Sequence, residues 1–170
     1  MEIFISTFLK IFFLMTPFFV LTMFLTITQD ATIRQRKALA IKVTISVTII
    51  SLILLFFGKH IFSIFGITLD AFRIGAGALL FLTAVDLVKG TEHTSKVGHK
   101  DISQVAVVPL SIPMIIGPGT TGILLVMGAT FDNTSSMFMG SLSLVCAVLV
   151  IGVMLYTSSV FERLIGKQGL

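Results

Sequence analysis

Charge is what this chain has least of. Charged residues fill 12% of its 170 positions, while hydrophobic ones fill 55%. A soluble domain carries roughly a quarter charged residues, so about half of the usual solvating surface is missing. The mean hydropathy of +1.07 points the same way. Uncovered apolar surface on this scale would drive aggregation in water, which excludes an ordinary soluble enzyme and leaves a bilayer as the main solvent.

Cysteine is nearly absent as well. The one thiol, Cys146, sits in an apolar run and cannot close an intramolecular disulfide. His60, His93 and His99 are scattered, the last two in a polar segment, and no Cys/His spacing resembles a metal site. Neither a metal nor another cofactor is expected. The chain also lacks a basic leader and a small-residue cleavage site after its first apolar run, so that run is read as a retained first span. There is no His-Glu-x-x-His pattern, no pair of mid-membrane aspartates, and no serine with a histidine at matching depth. Enzymatic activity is therefore not expected. The net charge of +4 does not gather on one basic face, and nucleic-acid binding is not expected either.

What is present is a series of long apolar runs. The first span covers about residues 3–27, with Lys10 near its outer end and Thr16-Pro17 in its middle; residues 11–29 are 19 uncharged positions in a row. About 20 such residues cross the hydrocarbon core as a helix. A second span is predicted over 39–57, where Lys42 can snorkel to the interface. Its many β-branched residues would favour a strand in water, but a lone strand in lipid leaves its backbone unsatisfied, so a helix is predicted. The third span, 69–88, has Arg73 and Asp86 near its ends, and Ala71, Gly75, Gly77 and Ala78 give it a smooth surface for close packing. A polar loop follows over 89–103. The fifth span is predicted over 137–158, and a short polar tail begins at Glu162.

Lysine and arginine set the orientation. Placing the segments after spans one, three and five on one side collects Arg34, Arg36, Lys37, Lys42, Lys89, Lys96, Lys100, Arg163 and Lys167, against Lys10, Lys59 and Arg73 on the other. The positive-inside rule then puts the N-terminus outside and the Arg163 tail in the cytoplasm. The expected location is a cytoplasmic (inner) membrane.

The fourth span is the informative one. Residues 102–131 carry no charge over 30 positions, yet Pro109, Pro113, Gly117, Pro118 and Gly119 punctuate them. Each proline removes a backbone donor and clashes with the carbonyl four residues earlier. Gly117 as a cap and Pro118 as first helical residue would fit a new helix start. A helix that stops near 112–116 and restarts at Pro118 is predicted. Irregular backbone at membrane depth is tolerated where protein or a wet cavity surrounds it. The restart would aim the N–H groups of Gly119, Thr120 and Thr121 at such a cavity, where their partial positive charge suits a carboxylate. Arg73 and Asp86 are further candidates, for a polar path.

The run Val107-Val108-Pro109-Leu110-Ser111-Ile112-Pro113, continuing through Gly117-Pro118-Gly119-Thr120, resembles the signature of the MarC family of bacterial and archaeal membrane proteins. Residues 67–82 resemble that family's third helix, and the similarity covers essentially the whole chain. The resemblance implies an all-α polytopic membrane fold of six helices in two inverted three-helix repeats. It also implies a transport role, since small neutral amino acid transporters of the SnatA type belong to the family. On this basis residues 1–88 form the first repeat, and 104–170 form a second repeat lacking its last helix. About five of the six helices are expected here, with truncation as the favoured explanation.

One departure bears on the site. Family members usually carry Asn-Pro-x-Gly-Asn-x-Pro in helix one, where this chain has Thr16-Pro17-Phe18-Phe19-Val20-Leu21-Thr22. The loss favours a kink over a break in helix one, although discontinuity there stays open. The expected activity is secondary transport or export of small solutes, with neutral amino acids as the substrate class. The expected substrate site comprises Thr16, Pro17, Pro113, Gly117, Pro118, Gly119, Thr120 and Thr121. The rival is a non-transporting assembly or packing subunit. Expected partners are the bilayer and the solute, with a homo-oligomer left open.

Overall fold

A computed structural model of the chain describes residues 2–89, 111, 115–131 and 133–165. Among these residues the structure is helical with no strand, the architecture of an all-α polytopic membrane protein. The helices are α1 (Glu2–Leu14), α2 (Pro17–Ile27), α3 (Ile33–Phe65), α4 (Leu69–Lys89), α5 (Pro118–Thr130), α6 (Thr134–Tyr156) and α7 (Ser158–Ile165). Two segments are long and apolar enough to cross a membrane, residues 33–58 of α3 and the whole of α6. α1 and α2 make a third when taken as one span bent by 40°. α4, at 21 residues, has a comparable length, and α5 is a shorter apolar helix.

Helix one is broken, not merely kinked. Thr16 adopts φ 46° and ψ 62°, a left-handed conformation that an α-helix cannot continue through. Its N–H closes the last turn of α1 on the Phe13 carbonyl at 3.0 Å, and its own carbonyl opens α2 by accepting from Val20 N–H at 3.0 Å. Pro17 then occupies the first helical position, where its missing donor costs nothing.

α3 is longer than hydropathy predicts. Its 33 residues begin with a capping box, in which Thr32 Oγ1 accepts from Gln35 N–H and Gln35 Oε1 accepts from Thr32 N–H at 2.9 Å. The helix therefore starts ahead of Arg34, Arg36 and Lys37, which the apolar run excludes. It ends at Gly66, whose left-handed φ of 61° lets its N–H return to the Phe62 carbonyl. At roughly 1.5 Å per residue such a helix outreaches a hydrocarbon core of about 30 Å, so its ends stand in the interface. The third and fifth predicted spans match α4 and α6 to within a few residues. α7 is an addition, a short helix where the sequence pattern predicts only a tail.

The core lies between α1, α2, α3, α5 and α6. α3 packs against both α5 and α6, α1 packs against α6, and α4 packs against α5. Ile11, Met15, Val20, Phe24, Val43, Val47, Leu55, Ile115, Leu124, Leu144 and Ile151 are all buried in one hydrophobic cluster. Large apolar residues on the outer faces are exposed, among them Phe18, Ile49, Ile64, Ile74, Phe81 and Val153. In a bilayer those faces meet lipid chains, and their exposure is the expected state. The small-residue surface of α4 is open: a side chain at Gly75 or Gly77 would meet nothing within 4 Å. The close packing expected there is not made among the described residues.

One end of the bundle gathers basic residues. Arg36 is buried and donates from Nε to the Thr28 carbonyl at 2.9 Å and from Nη2 to the Gln29 carbonyl at 3.2 Å. It thereby holds the C-terminal end of α2 against the start of α3, where the helix dipole favours a cation. Lys37 Nζ lies 4.8 Å from the centre of the Tyr156 ring at the end of α6, and α7 packs against α2.

Candidate functional site

The restart in the fourth span is built as the prolines and glycines require. Ahead of it, Ile116 N–H donates to the Ser111 carbonyl at 3.0 Å, a closure over five residues instead of the helical four. Gly117 follows in an extended conformation, φ −72° and ψ 174°, and caps α5, with Pro118 in the first turn. The first intrahelical bond of α5 runs from Thr121 N–H to the Gly117 carbonyl at 2.9 Å. Thr121 N–H is thus engaged inside the helix, which corrects its expected role as a free donor toward a cavity.

That leaves the amides of Gly119 and Thr120. Both residues are buried, Thr120 at 3% exposure, and the cap supplies no side-chain hydrogen bond to the first turn. The first amides of any helix have no partner within it, and they usually find a cap or water. Here they sit in an apolar interior with the positive end of the α5 dipole behind them. Thr120 Oγ1 donates to the Ile115 carbonyl at 3.3 Å, tying the two sides of the break together while its lone pairs stay able to accept. A small anionic group placed against this turn would satisfy buried donors that otherwise lose their hydration.

The site is closed. A cavity of about 10 Å³ adjoins the break, lined by Val43, Thr44, Val47, Ile115, Val148, Ile151, Gly152 and Leu155. That volume holds at most about one water, and its wall is apolar. A solute larger than water does not fit this cavity.

Of the residues singled out in the sequence, Gly117, Gly119, Thr120 and Thr121 come together at the head of α5, and Pro118 is in its first turn. Thr16 and Pro17 form the second break, with Thr16 exposed and Pro17 buried. Met15 and Val20 beside one break share a core with Ile115 and Ile116 beside the other. Among the described residues no hydrogen bond joins Thr16 to Thr120 or Thr121. Pro109, Pro113 and most of the 89–103 loop lie outside the described residues, as does the Asp86 side chain. Arg73 is on the exposed surface of α4, paired with Asp70 at 3.1 Å, and the pair stands at the start of that helix, outside the cavity's lining.

Sequence reasoning passed over Ser51. It is fully buried in α3, and its Oγ has no hydrogen-bond partner. A signal was available: Thr44, Thr48 and Ser51 recur at helical spacing as a polar stripe in an apolar run. Thr44 and Thr48 return their hydroxyls to the carbonyls of Ala40 and Thr44, each at 2.8 Å, and Ser51 does not follow them.

Comparison with known proteins agrees with this architecture. A sequence profile described as MarC family integral membrane protein matches residues 1–170. A UPF0056 membrane protein of Methanocaldococcus jannaschii is 33% identical over 76% of the chain, in a match spanning 59% of that relative's length. A UPF0056 membrane protein of Buchnera aphidicola subsp. Acyrthosiphon pisum is 29% identical over 100% of the chain and 82% of the relative. One from Aquifex aeolicus is 28% identical over 99% of the chain and 81% of the relative. No solved structure matches the chain.

Proposed function

Because this chain belongs to the MarC family of integral membrane proteins, we propose that it is a secondary transporter of small solutes, with neutral amino acids as its substrate class. The observation that carries this reading is the restart at Gly117-Pro118, with the buried and uncapped amides of Gly119 and Thr120 behind it. Backbone irregularity at membrane depth is tolerated only where protein or a wet cavity surrounds it, and in transporters such breaks form the binding site. Two amides and a helix dipole suit a carboxylate, and the space beside the Gly119 backbone is taken by the flexible Leu80 side chain, which can give way. A small side chain on the solute fits the close packing of Leu80 against Gly119.

Transport in this reading needs no covalent chemistry. The 40° bend at Thr16 and the break at Gly117 are the two points where spans can flex against the common core. Opening on alternate sides would expose the head of α5 first to one aqueous phase and then to the other.

The test is uptake of labelled glycine, L-alanine, L-serine and L-threonine into proteoliposomes, with and without an imposed proton gradient. Saturable flux of at least one is expected, and absence of flux for all of them overturns the reading. A second reading, a packing or assembly subunit, draws on the open Gly75/Gly77 face of α4. Thr120→Cys separates the two. Modification by a water-soluble thiol reagent, slowed by added substrate, belongs to transport, and complete protection in every condition belongs to assembly.

A further inference from the structure

Ser51 carries the furthest inference. A hydroxyl inside a helix ordinarily donates to the carbonyl four residues back, as the half-buried Thr44 and Thr48 do two turns and one turn earlier. Ser51 Oγ makes no such bond and no other, at 0% exposure. An unpaired buried hydroxyl is destabilising, and it is the kind of group a native protein retains for a reason.

Its position supplies the reason. Val47, one turn before Ser51, lines the small cavity together with Ile115, just ahead of the break. Leu55, one turn after it, meets α5 so closely that a side chain at Gly128 would strike the Leu55 carbonyl. Residues four apart share a helix face. Ser51 is therefore on the α3 face turned to the fourth span, between the contact at Ile115 and the contact at Gly128. The head of α5, with the buried amides of Gly119 and Thr120, occupies the chain between those same two contacts.

We propose that Ser51 is a binding residue of the transport site: its hydroxyl is the third donor, after the amides of Gly119 and Thr120, to the carboxylate of the solute. The inference rests on the transport reading above and assigns α3 a part in the site. It also accounts for the unsatisfied donors of α3 and of α5 with one ligand group. When the site is empty the donors lose hydrogen bonds, and when a carboxylate enters they regain them together.

The experiment uses the full chain in proteoliposomes, with labelled L-alanine as the probe and propionate and ethylamine as competitors. Propionate keeps the carboxylate and ethylamine keeps only the amine. Ser51→Ala is expected to weaken L-alanine uptake and propionate competition about tenfold each, the scale of one hydrogen bond to a charged group. Ser51→Cys, nearly the same size with a weak donor, is expected to fall between. Ser158→Ala is the control, since Ser158 Oγ is likewise buried and unpartnered but stands at the start of α7. Its uptake should be that of the wild type. Both alanine variants should unfold no more readily than the wild type, because each removes an unpaired polar atom.

Saturable wild-type uptake with Ser51→Ala unchanged overturns the role of Ser51 and leaves the transport reading standing. A Ser51→Ala protein that loses uptake and also unfolds more readily has lost packing, which overturns the proposal as well. No wild-type uptake overturns the transport reading and this inference with it.

Discussion

Thr16 and Arg36 show two ways in which a single residue shapes this bundle. Thr16 is the one non-glycine residue with positive φ among the described residues. The left-handed region costs an L-residue about 1–2 kcal/mol, and a branched β-carbon makes it a true outlier. Glycine removes that cost but loses more chain entropy on folding, roughly 0.5–1 kcal/mol. Thr16→Gly is therefore expected to stabilise the protein by up to about 1 kcal/mol, read as a higher midpoint in an SDS titration of the detergent-solubilised protein. An unchanged or lower midpoint would mean that the Thr16 side chain makes a compensating contact. Arg36 works in the opposite sense. Its guanidinium meets the carbonyls of Thr28 and Gln29 at the end of α2. Arg36→Met keeps the apolar stem and leaves those acceptors without their partner, at a cost of about 1–3 kcal/mol. Arg36→Lys offers a point charge without the planar fork and should recover part of the loss. Equal midpoints for Arg36→Met and the wild type would refute the clamp.

Among the helices, the sharpest contrast is between the glycines of α5 and those of α4. A side chain at Gly128 would overlap the Leu55 carbonyl, and one at Gly58 would meet the Leu125 carbonyl at 2.5 Å, so α3 and α5 touch backbone to backbone. Gly128→Ala must push a main-chain atom and not a flexible side chain, and overpacking of that kind costs about 1–3 kcal/mol. Gly75→Ala on α4 meets open space, and alanine is the better helix former by up to about 1 kcal/mol. In the same SDS titration Gly128→Ala should lower the midpoint while Gly75→Ala holds or raises it. A large loss from Gly75→Ala would reveal a tight contact on that face of α4. The two glycines look alike in sequence. Both sit in apolar runs beside small residues, and hydropathy cannot tell which run finds a partner. The same limit explains the other differences. The start of α5 was legible because Pro118 and its two glycines dictate local backbone, and the ends of α4 and α6 were legible because polarity changes sharply there. The full length of α3 was not, since its first turn is set by a hydrogen-bonded Thr32–Gln35 box within a charged stretch. The left-handed Thr16 was hidden because threonine rarely takes that conformation. Ser51 was hidden because a missing hydrogen bond is a tertiary fact.

For the molecule as a whole, the place where the basic residues collect predicts an orientation. The start of α3 carries Arg34, Arg36 and Lys37, and Lys37 reaches the Tyr156 ring at the end of α6. α7, with Arg163 in its sequence, packs against α2 and α6. Two of the basic segments that the Lys/Arg count assigns to one side thus meet at one end of the bundle. The turn after α3 and the turn between α5 and α6 carry few cations, with no Lys or Arg between Lys100 and Arg163. Retention of positive loops on the cytoplasmic side predicts the N-terminus and residue Asn133 outside, and Gln29 inside. Single cysteines test this in a Cys146→Ser background, which removes the one native thiol. In intact cells a membrane-impermeant maleimide should label Asn133→Cys at once, and should label Gln29→Cys only after permeabilisation. The reverse pattern would invert the molecule. Labelling of both in intact cells would mean that the second, third and fourth runs do not all cross as separate spans. The outcome matters for the site as well. With Asn133 outside, the C-terminal end of α5 faces outward and its positive head at Gly117-Pro118 faces the cytoplasmic half. A carboxylate would then have its shorter path from the cytoplasm, and the opening that admits it would lie between α5 and the arginine-clamped end of the bundle.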